Sequence, residues 1–203
     1  MTTKPKPIPD GFTTVTPHLV LKDSAAAIEY YKKAFGAVEM SHMPGPDGKG
    51  VMHAMLKIGT AFIMLGDEPP ADQCNPLGPK SAQSLNGSSV ALHLYVDNAD
   101  AVFKRAIDAG GTVVMPPMDM FWGDRYGMLV DPFGHRWSVA THMRDMTPEQ
   151  MKKEFGEMMA KMGHSAATPG ASGPEPTESG FETARKELEN LTVAHCEYLK
   201  SLI

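Results

Sequence analysis

The sequence predicts an α+β fold built from two copies of one βαβββ module. Residues 17–28 and 92–103 each hold an apolar strand with a histidine, an aspartate that closes the strand and the start of an alanine-containing helix. In both copies a stretch with glycine and alanine, at 35–37 and 109–111, is then predicted to end the helix. A self-match at a spacing of about 75 residues indicates two copies of one supersecondary unit.

The first module is predicted over residues 13–66, and it begins with a strand at 13–21 in which apolar and polar residues alternate. Asp23 or Ser24 can cap the helix that follows, and Gly36 supplies a left-handed stop. Three further strands are predicted near 37–43, 51–58 and 60–65.

The second module, residues 89–144, follows a loop at 67–88 that is rich in proline, glycine, asparagine and serine. It repeats the order of elements seen in the first. These are predicted as a strand at 90–96, a helix at 98–109 and strands at 112–115, 125–130 and 135–141.

The segments that flank the modules have a different character. Residues 1–12 form a proline-rich arm, and a capping-box pattern at Thr147 predicts a helix over 145–163. Residues 164–180 are predicted to be a flexible linker. Residues 181–203 carry an apolar stripe at helical spacing, which predicts an amphipathic helix that docks on the chain or forms a dimer contact.

Composition excludes several classes of function. The net charge is −5 and basic residues do not cluster, which argues against nucleic acid as a partner. The apolar runs are too short to cross a bilayer, and the N-terminus lacks the apolar core of a secretory signal peptide. Cys74 and Cys196 are distant and unpatterned, which predicts reduced thiols in a cytoplasmic protein.

Three stretches carry a resemblance to a known family: residues 26–36, residues 121–127 (FWGDRYG) and residues 131–137 (DPFGHRW). The chain resembles the vicinal oxygen chelate superfamily, which includes glyoxalase I, bleomycin-resistance proteins and extradiol dioxygenases, and within it the PhnB-like subgroup. The resemblance implies that the two sheets form a cup with the ligand in its concavity, and that the protein is a homodimer.

The resemblance also implies where a divalent metal is bound in metal-dependent members. The usual histidine positions fall on Thr16 and Ala91, and the usual glutamate position falls on Ser138. The matching glutamate position in the first module falls on Ile63 or Met64. None of these side chains is a good metal ligand.

His18 and His93 each lie two residues beyond a vacated position, so period-two alternation points both imidazoles into the expected cup. There they can bind a divalent metal such as Zn²⁺, Ni²⁺, Mn²⁺ or Fe²⁺, act as acid and base, contact a ligand, or serve structure alone. His53, on the third strand of the first module, is a candidate third metal ligand.

A loop ahead of one strand of the second module supplies the other candidates. Trp122 can cover the cup, Asp124 can act as a base or complete a metal site, and Arg125 can hold a carboxylate or phosphate. An Asp124–Arg125 salt bridge that fixes the loop is the alternative. The remaining candidate ligand contacts are Tyr95, Thr16 and Ser138.

Two functional hypotheses follow, each with a small molecule as the partner. The first is a binding module that sequesters a partly aromatic molecule without catalysis, as bleomycin-resistance proteins do. The second is a metal-dependent lyase, isomerase or dioxygenase with relocated histidine ligands. A third, an interaction protein, rests only on the stripe at 181–202.

Overall fold

The computed structural model describes residues 6–70 and 78–161. The chain divides into two compact units, Met1–Met158 and Met159–Ile203, and both sheets lie in the first. In chain order the elements are β1 (His18–Leu21), α1 (Ser24–Phe35), β2 (Val38–Pro44), β3 (Val51–Ile58), β4 (Ala61–Asp67), β5 (Ala91–Tyr95), α2 (Ala99–Asp108), β6 (Thr112–Asp119), β7 (Asp124–Val130), β8 (Arg136–His142) and α3 (Pro148–Lys161).

Each module forms its own four-stranded mixed sheet. The strand orders are β1-β4-β3-β2 and β5-β8-β7-β6. β1 is parallel to β4 and β5 is parallel to β8, whereas the other neighbours are antiparallel. If the strands of each module are numbered from one to four along the chain, both sheets have the order 1-4-3-2. The predicted α+β fold with two βαβββ modules is therefore confirmed.

The ends of α1 follow from its sequence. The Asp23 carboxylate accepts the backbone N–H of Ala26 at 2.9 Å, which satisfies one of the free donors of the first turn. Gly36 has a φ of 67° and donates its N–H to the carbonyl of Lys32 at 3.1 Å. This is the left-handed stop that the sequence predicts, and it lets the chain turn directly into β2.

One hydrophobic core joins the two modules. Helix α1 packs against α2, and two of its aromatic side chains reach the second sheet. The ring centroids of Tyr31 and Phe35 lie 5.3 and 4.5 Å from that of Trp137 on β8. All three side chains are buried, so the core depends on residues more than 100 positions apart.

A buried carboxylate, Asp131, ties the modules together inside this core. Its Oδ2 accepts the Tyr31 hydroxyl at 2.8 Å and the Trp137 indole N–H at 2.9 Å. Its Oδ1 accepts the backbone N–H groups of Phe133 and His135, both at 2.9 Å. Asp131 opens the tight turn between β7 and β8, which the N–H of Gly134 closes on its carbonyl at 3.1 Å, and its side chain satisfies donors from both modules.

Two strand predictions were wrong in extent. The first strand was predicted at 13–21 but begins at His18, because Pro17 has no backbone N–H to extend the ladder. Thr16 therefore precedes the strand. The strand predicted at 112–115 extends to Asp119 as β6, and the prolines at 116–117 are tolerated because β6 is an edge strand.

The flanking segments are described only in part. Residues 6–12 of the predicted arm contain neither helix nor strand, and Phe12 stacks on Phe62 with centroids 4.6 Å apart. α3 lies within the helix predicted at 145–163. The predicted linker at 164–180 and helix at 181–203 lie outside the described residues. None of the helices described is long and apolar enough to span a membrane.

Candidate ligand site on the second sheet

Strand register places the candidate residues of the second module on one face of its sheet. His93 pairs with Ser138, and Tyr95 pairs with Ala140, which in turn pairs with Tyr126. Residues paired across neighbouring strands share a face. We call the face that carries these residues, opposite the one covered by helix α2, the open face of the second sheet.

The first sheet repeats this arrangement. His18 pairs with Met64, and Met64 pairs with Met55 on the face away from α1. The register therefore makes Met64, not Ile63, the counterpart of Ser138. His18 and His93 occupy equivalent positions on equivalent faces, which is the placement that strand alternation predicts.

Asp124 organises the open face of the second sheet. Its side chain is only 3% exposed, and it accepts three side-chain hydrogen bonds. Tyr95 Oη and Trp122 Nε1 each donate to Oδ2 at 3.0 Å, and His142 Nδ1 lies 2.8 Å from Oδ1. Burial alone raises the pKa of Asp124, but the bonds from His142, Tyr95 and Trp122 outweigh it and hold the pKa below its usual value. The carboxylate is thus a charged anchor for three rings.

Two of the rings held by Asp124, those of Trp122 and Tyr95, are the ends of a row of four rings that we call the aromatic cluster: Trp122, Tyr126, His93 and Tyr95. Neighbouring centroids lie 5.4 Å apart for Trp122 and Tyr126, 5.9 Å for Tyr126 and His93, and 4.5 Å for His93 and Tyr95. His93 stacks on Tyr126, and the other two contacts are edge-to-face. Both geometries are favourable for aromatic pairs.

His93 is the polar member of the cluster. Its Nδ1 lies 2.8 Å from the Ser138 hydroxyl. Partial desolvation lowers the pKa of His93, and the nearby Asp124 opposes this effect without reversing it. The imidazole is therefore mostly neutral at pH 7, with one nitrogen on Ser138 and the other available to a ligand.

Next to the cluster lies an open depression of about 450 Å³, lined by Tyr95, Val96, Asp97, Thr141 and His142. Tyr95 is 64% exposed, which is unusual for a large aromatic side chain whose hydroxyl is fixed. The depression gives a small molecule access to the edge of the cluster.

Arg125 does not join this site. It is adjacent to Asp124 on β7 and so points to the opposite face, where its Nε and Nη2 bind the Asp100 carboxylate at 2.9 and 2.8 Å. Its Nη1 also contacts Asp119 at 3.3 Å. The predicted Asp124–Arg125 salt bridge does not form, because neighbouring strand residues point to opposite faces.

The candidate residues of the first module are separate from the aromatic cluster. His18 and His53 make an edge-to-face contact with centroids 5.6 Å apart. Partial desolvation, and then the proximity of His53, lower the pKa of His18. His18 also lines a cleft of about 340 Å³ between β1 and residues 80–92.

The donors at the family's metal positions do not fit a divalent ion. Thr16, Ala91, Met64 and Ser138 offer two hydroxyls, a methyl group and a thioether, whereas Zn²⁺ and related ions take imidazole, carboxylate or thiolate ligands. Within residues 6–70 and 78–161, no three His, Cys, Asp or Glu side chains converge as a metal site. His18 and His53 are neighbours, but His93 pairs with Ser138 on the other sheet and does not complete a triad with them.

Sequence reasoning missed two members of this site. One is His142, which bridges Asp124 and Asp145, at 2.8 and 3.1 Å. The other is Tyr126, whose ring lies between those of Trp122 and His93 in the cluster. The register that pairs Asp124 with His142 is the signal that identifies His142, and it becomes visible only once β7 and β8 are aligned.

We expect the bridge made by His142 to give stability a distinct pH dependence. Hydrogen bonds to Asp124 and then Asp145 raise the pKa of His142 above its usual value near 6.5. The protonated His142 therefore stabilises the folded protein. This contribution is complete at pH values below the pKa of histidine in the unfolded chain, about 6.5, and it disappears as the pH rises through the higher pKa of His142 in the folded protein. In thermal melts from pH 5.5 to 9, the difference in Tm between wild type and His142→Gln should shrink as pH increases; a difference that grows with pH would contradict the bridge.

Comparisons with known proteins agree with this architecture. Mb0911c of Mycobacterium bovis, described as uncharacterized, is 46% identical over 140 residues, which cover 68% of this chain and 89% of the relative. The solved structures of At5g48480 from Arabidopsis thaliana and PA1353 from Pseudomonas aeruginosa are 28% and 26% identical, each with a TM-score of 0.50. Their matches cover 64% and 65% of this chain, and 98% and 99% of the respective structures.

The family profile described as Glyoxalase/Bleomycin resistance protein/Dioxygenase superfamily matches residues 13–139. The chain belongs to that superfamily.

Proposed function

We propose that this protein binds a small, planar aromatic molecule on the aromatic cluster of the second sheet and needs no metal ion to do so. The observation that carries the proposal is the buried Asp124 carboxylate, which holds Tyr95 and Trp122 at 3.0 Å and so fixes the two ends of the row. Rings held in place lose little conformational entropy when a ligand stacks on them.

The surroundings of the cluster favour an aromatic ligand of variable shape. Met115, Met118 and Met128 share the open face with Tyr126 and Ser138. Flexible thioethers adapt to irregular apolar surfaces and make favourable contacts with ring edges. Aromatic rings supply stacking area, and the methionines allow ligands of different outline to be accommodated.

Polar recognition in the proposed site is assigned to His93 and Ser138. The Tyr95 hydroxyl and the Trp122 indole N–H already donate to Asp124, so they are not available to a ligand as donors. The neutral His93 imidazole, positioned by Ser138, has one nitrogen left for a phenol, ketone or ring nitrogen of the ligand. We assign no metal-dependent step, because the donor set does not fit one.

A titration followed by tryptophan fluorescence tests the proposal. The chain has two tryptophans, and Trp137 is buried at 1% exposure, so quenching by a stacked ligand reports Trp122. We expect 2-naphthol, acridine orange or anthraquinone-2-sulfonate to quench saturably and cyclohexanol not to. The Trp122→Phe variant should lose the quench, and His93→Ala should weaken binding about tenfold because a stacked ring is lost.

The matched control is His53→Ala, which removes the same side chain from the first sheet. It should leave the affinity unchanged, because His53 contacts His18 and not the aromatic cluster. Quenching that persists in Trp122→Phe, or an equal loss of affinity in His53→Ala and His93→Ala, would place the ligand elsewhere and reject the proposed site.

We also propose that the protein is a homodimer. Met40, Met43 and Met52 on strands β2 and β3 are each about half-exposed, and β2 is an edge strand whose outer side has no neighbour among the described strands. Sedimentation velocity should give twice the 22.0 kDa chain mass. Met43→Glu, which places a charge on this surface, should shift the protein towards monomer; a wild type that sediments as a monomer at all concentrations would exclude the dimer.

A further inference from the structure

The family match ends at residue 139, yet the chain continues directly into a segment that contacts the proposed site. After β8, the backbone N–H groups of Met143 and Arg144 both donate to the carbonyl of Gly123, at 3.0 and 3.1 Å. Gly123 has a φ of 100°, and a Cβ built there would overlap the Arg144 carbonyl oxygen. Only glycine accommodates both the backbone conformation and this close approach.

Helix α3 then returns to the loop that carries Trp122. The ring of Phe155 lies 4.9 Å from the ring of Phe121, and Phe121 makes an edge-to-face contact with Trp122 at 4.9 Å. Trp122 is therefore held from two sides, by Asp124 through its indole N–H and by Phe155 through Phe121.

An ion pair secures α3 in this position. The Arg144 guanidinium makes two parallel hydrogen bonds to the Glu154 carboxylate, Nη1 to Oε1 at 2.8 Å and Nη2 to Oε2 at 2.5 Å. Arg144 is the residue whose backbone is bound to Gly123, so one residue links α3 to the turn beneath Trp122. A bidentate pair of this kind restricts orientation more than a single contact does.

We propose that α3 is a working part of the ligand site, with Phe155 as a positioning residue that fixes Trp122 through Phe121. This inference rests on the proposed function, because Trp122 matters for binding only if the aromatic cluster is the site. The residues that fix one end of the cluster, Trp122, then lie in a segment beyond the family match, which ends at residue 139. Trp122 then depends on two residues of α3, on Phe155 through Phe121 and on Glu154 through Arg144.

The test compares Phe155→Ala with Lys152→Ala in the full chain. Both substitutions raise helix propensity, so loss of helix stability does not separate them. Lys152 is exposed on α3. In the free protein, we expect acrylamide quenching of Trp122 to rise about twofold in Phe155→Ala and to stay unchanged in Lys152→Ala. Affinity for the tightest aromatic probe should fall about fivefold in Phe155→Ala only.

Two further variants keep the test decisive. Phe155→Tyr retains the ring and should restore both readouts, whereas Glu154→Gln weakens the Arg144 pair and should move both readouts in the same direction as Phe155→Ala. If Phe155→Ala perturbs the far-ultraviolet circular dichroism spectrum, Glu154→Gln takes its place. Unchanged quenching and affinity in Phe155→Ala and Glu154→Gln would overturn the inference.

The outcomes also distinguish this inference from the proposed function. Higher quenching of Trp122 in Phe155→Ala, with no saturable binding of any probe by the wild type, would support the positioning role and reject the aromatic site. Binding by the wild type at Trp122 that neither Phe155→Ala nor Glu154→Gln alters would keep the site and reject the role of α3.

Discussion

Replacing Asp131 by alanine is expected to lower the free energy of unfolding by about 4 kcal/mol, the largest effect of any substitution considered for this protein. The carboxylate accepts four hydrogen bonds within the core, from Tyr31, Trp137 and two backbone N–H groups. Alanine leaves three buried donors and the part-buried N–H of His135 without partners, and it also leaves a small cavity. Urea unfolding followed by circular dichroism measures the change.

Asp108→Ala is the matched control for this prediction. Asp108 is an exposed residue whose ion pair with Lys104 is open to solvent, so its loss should change the free energy of unfolding by less than about 0.5 kcal/mol. A cost below about 1 kcal/mol for Asp131→Ala would mean that the four bonds do not join the two modules as described.

Asp124→Ala is expected to reduce the affinity for the aromatic probe by more than tenfold, because it releases both ends of the aromatic cluster. The stability cost should be smaller than for Asp131→Ala, about 2 kcal/mol. Tyr95 and His142 are more than half exposed and can bond to water once the carboxylate is gone, whereas the half-buried Trp122 cannot do so as readily.

Asp145→Ala separates anchoring of the rings from a general effect of lost charge. It removes a carboxylate that also binds His142, at 3.1 Å, but it leaves Asp124 and its bonds to Tyr95 and Trp122 intact. Its affinity should stay within about twofold of wild type. Equal losses in Asp124→Ala and Asp145→Ala would show that charge near the site, not fixation of the rings, sets the affinity.

Local sequence patterns were sufficient to predict the fold. The cap at Asp23, the stop at Gly36 and strand alternation around His18 and His93 depend on residues within a few positions of one another, and each is found as predicted. The repeat accounts for the strand order being the same in both sheets, because two copies of one unit fold alike.

The candidate site was only partly predictable, because its contacts depend on strand register and on distant partners. Arg125 lies beside Asp124 in sequence but pairs with Asp100, 25 residues away. His142 meets Asp124 only through the pairing of β7 and β8. No pattern within the segment 131–134 indicates that Asp131 accepts the hydroxyl of Tyr31, 100 residues earlier.

The most direct test of the central claim is a ¹H–¹⁵N correlation spectrum of the full chain, recorded with and without the tightest aromatic probe. The two tryptophans give two indole N–H signals, which Trp122→Phe assigns. The aromatic-cluster site predicts a saturable shift of the Trp122 signal with the Trp137 signal unmoved. Saturable binding that leaves the Trp122 signal in place, while resonances of His18 and His53 on the first sheet shift, would contradict it.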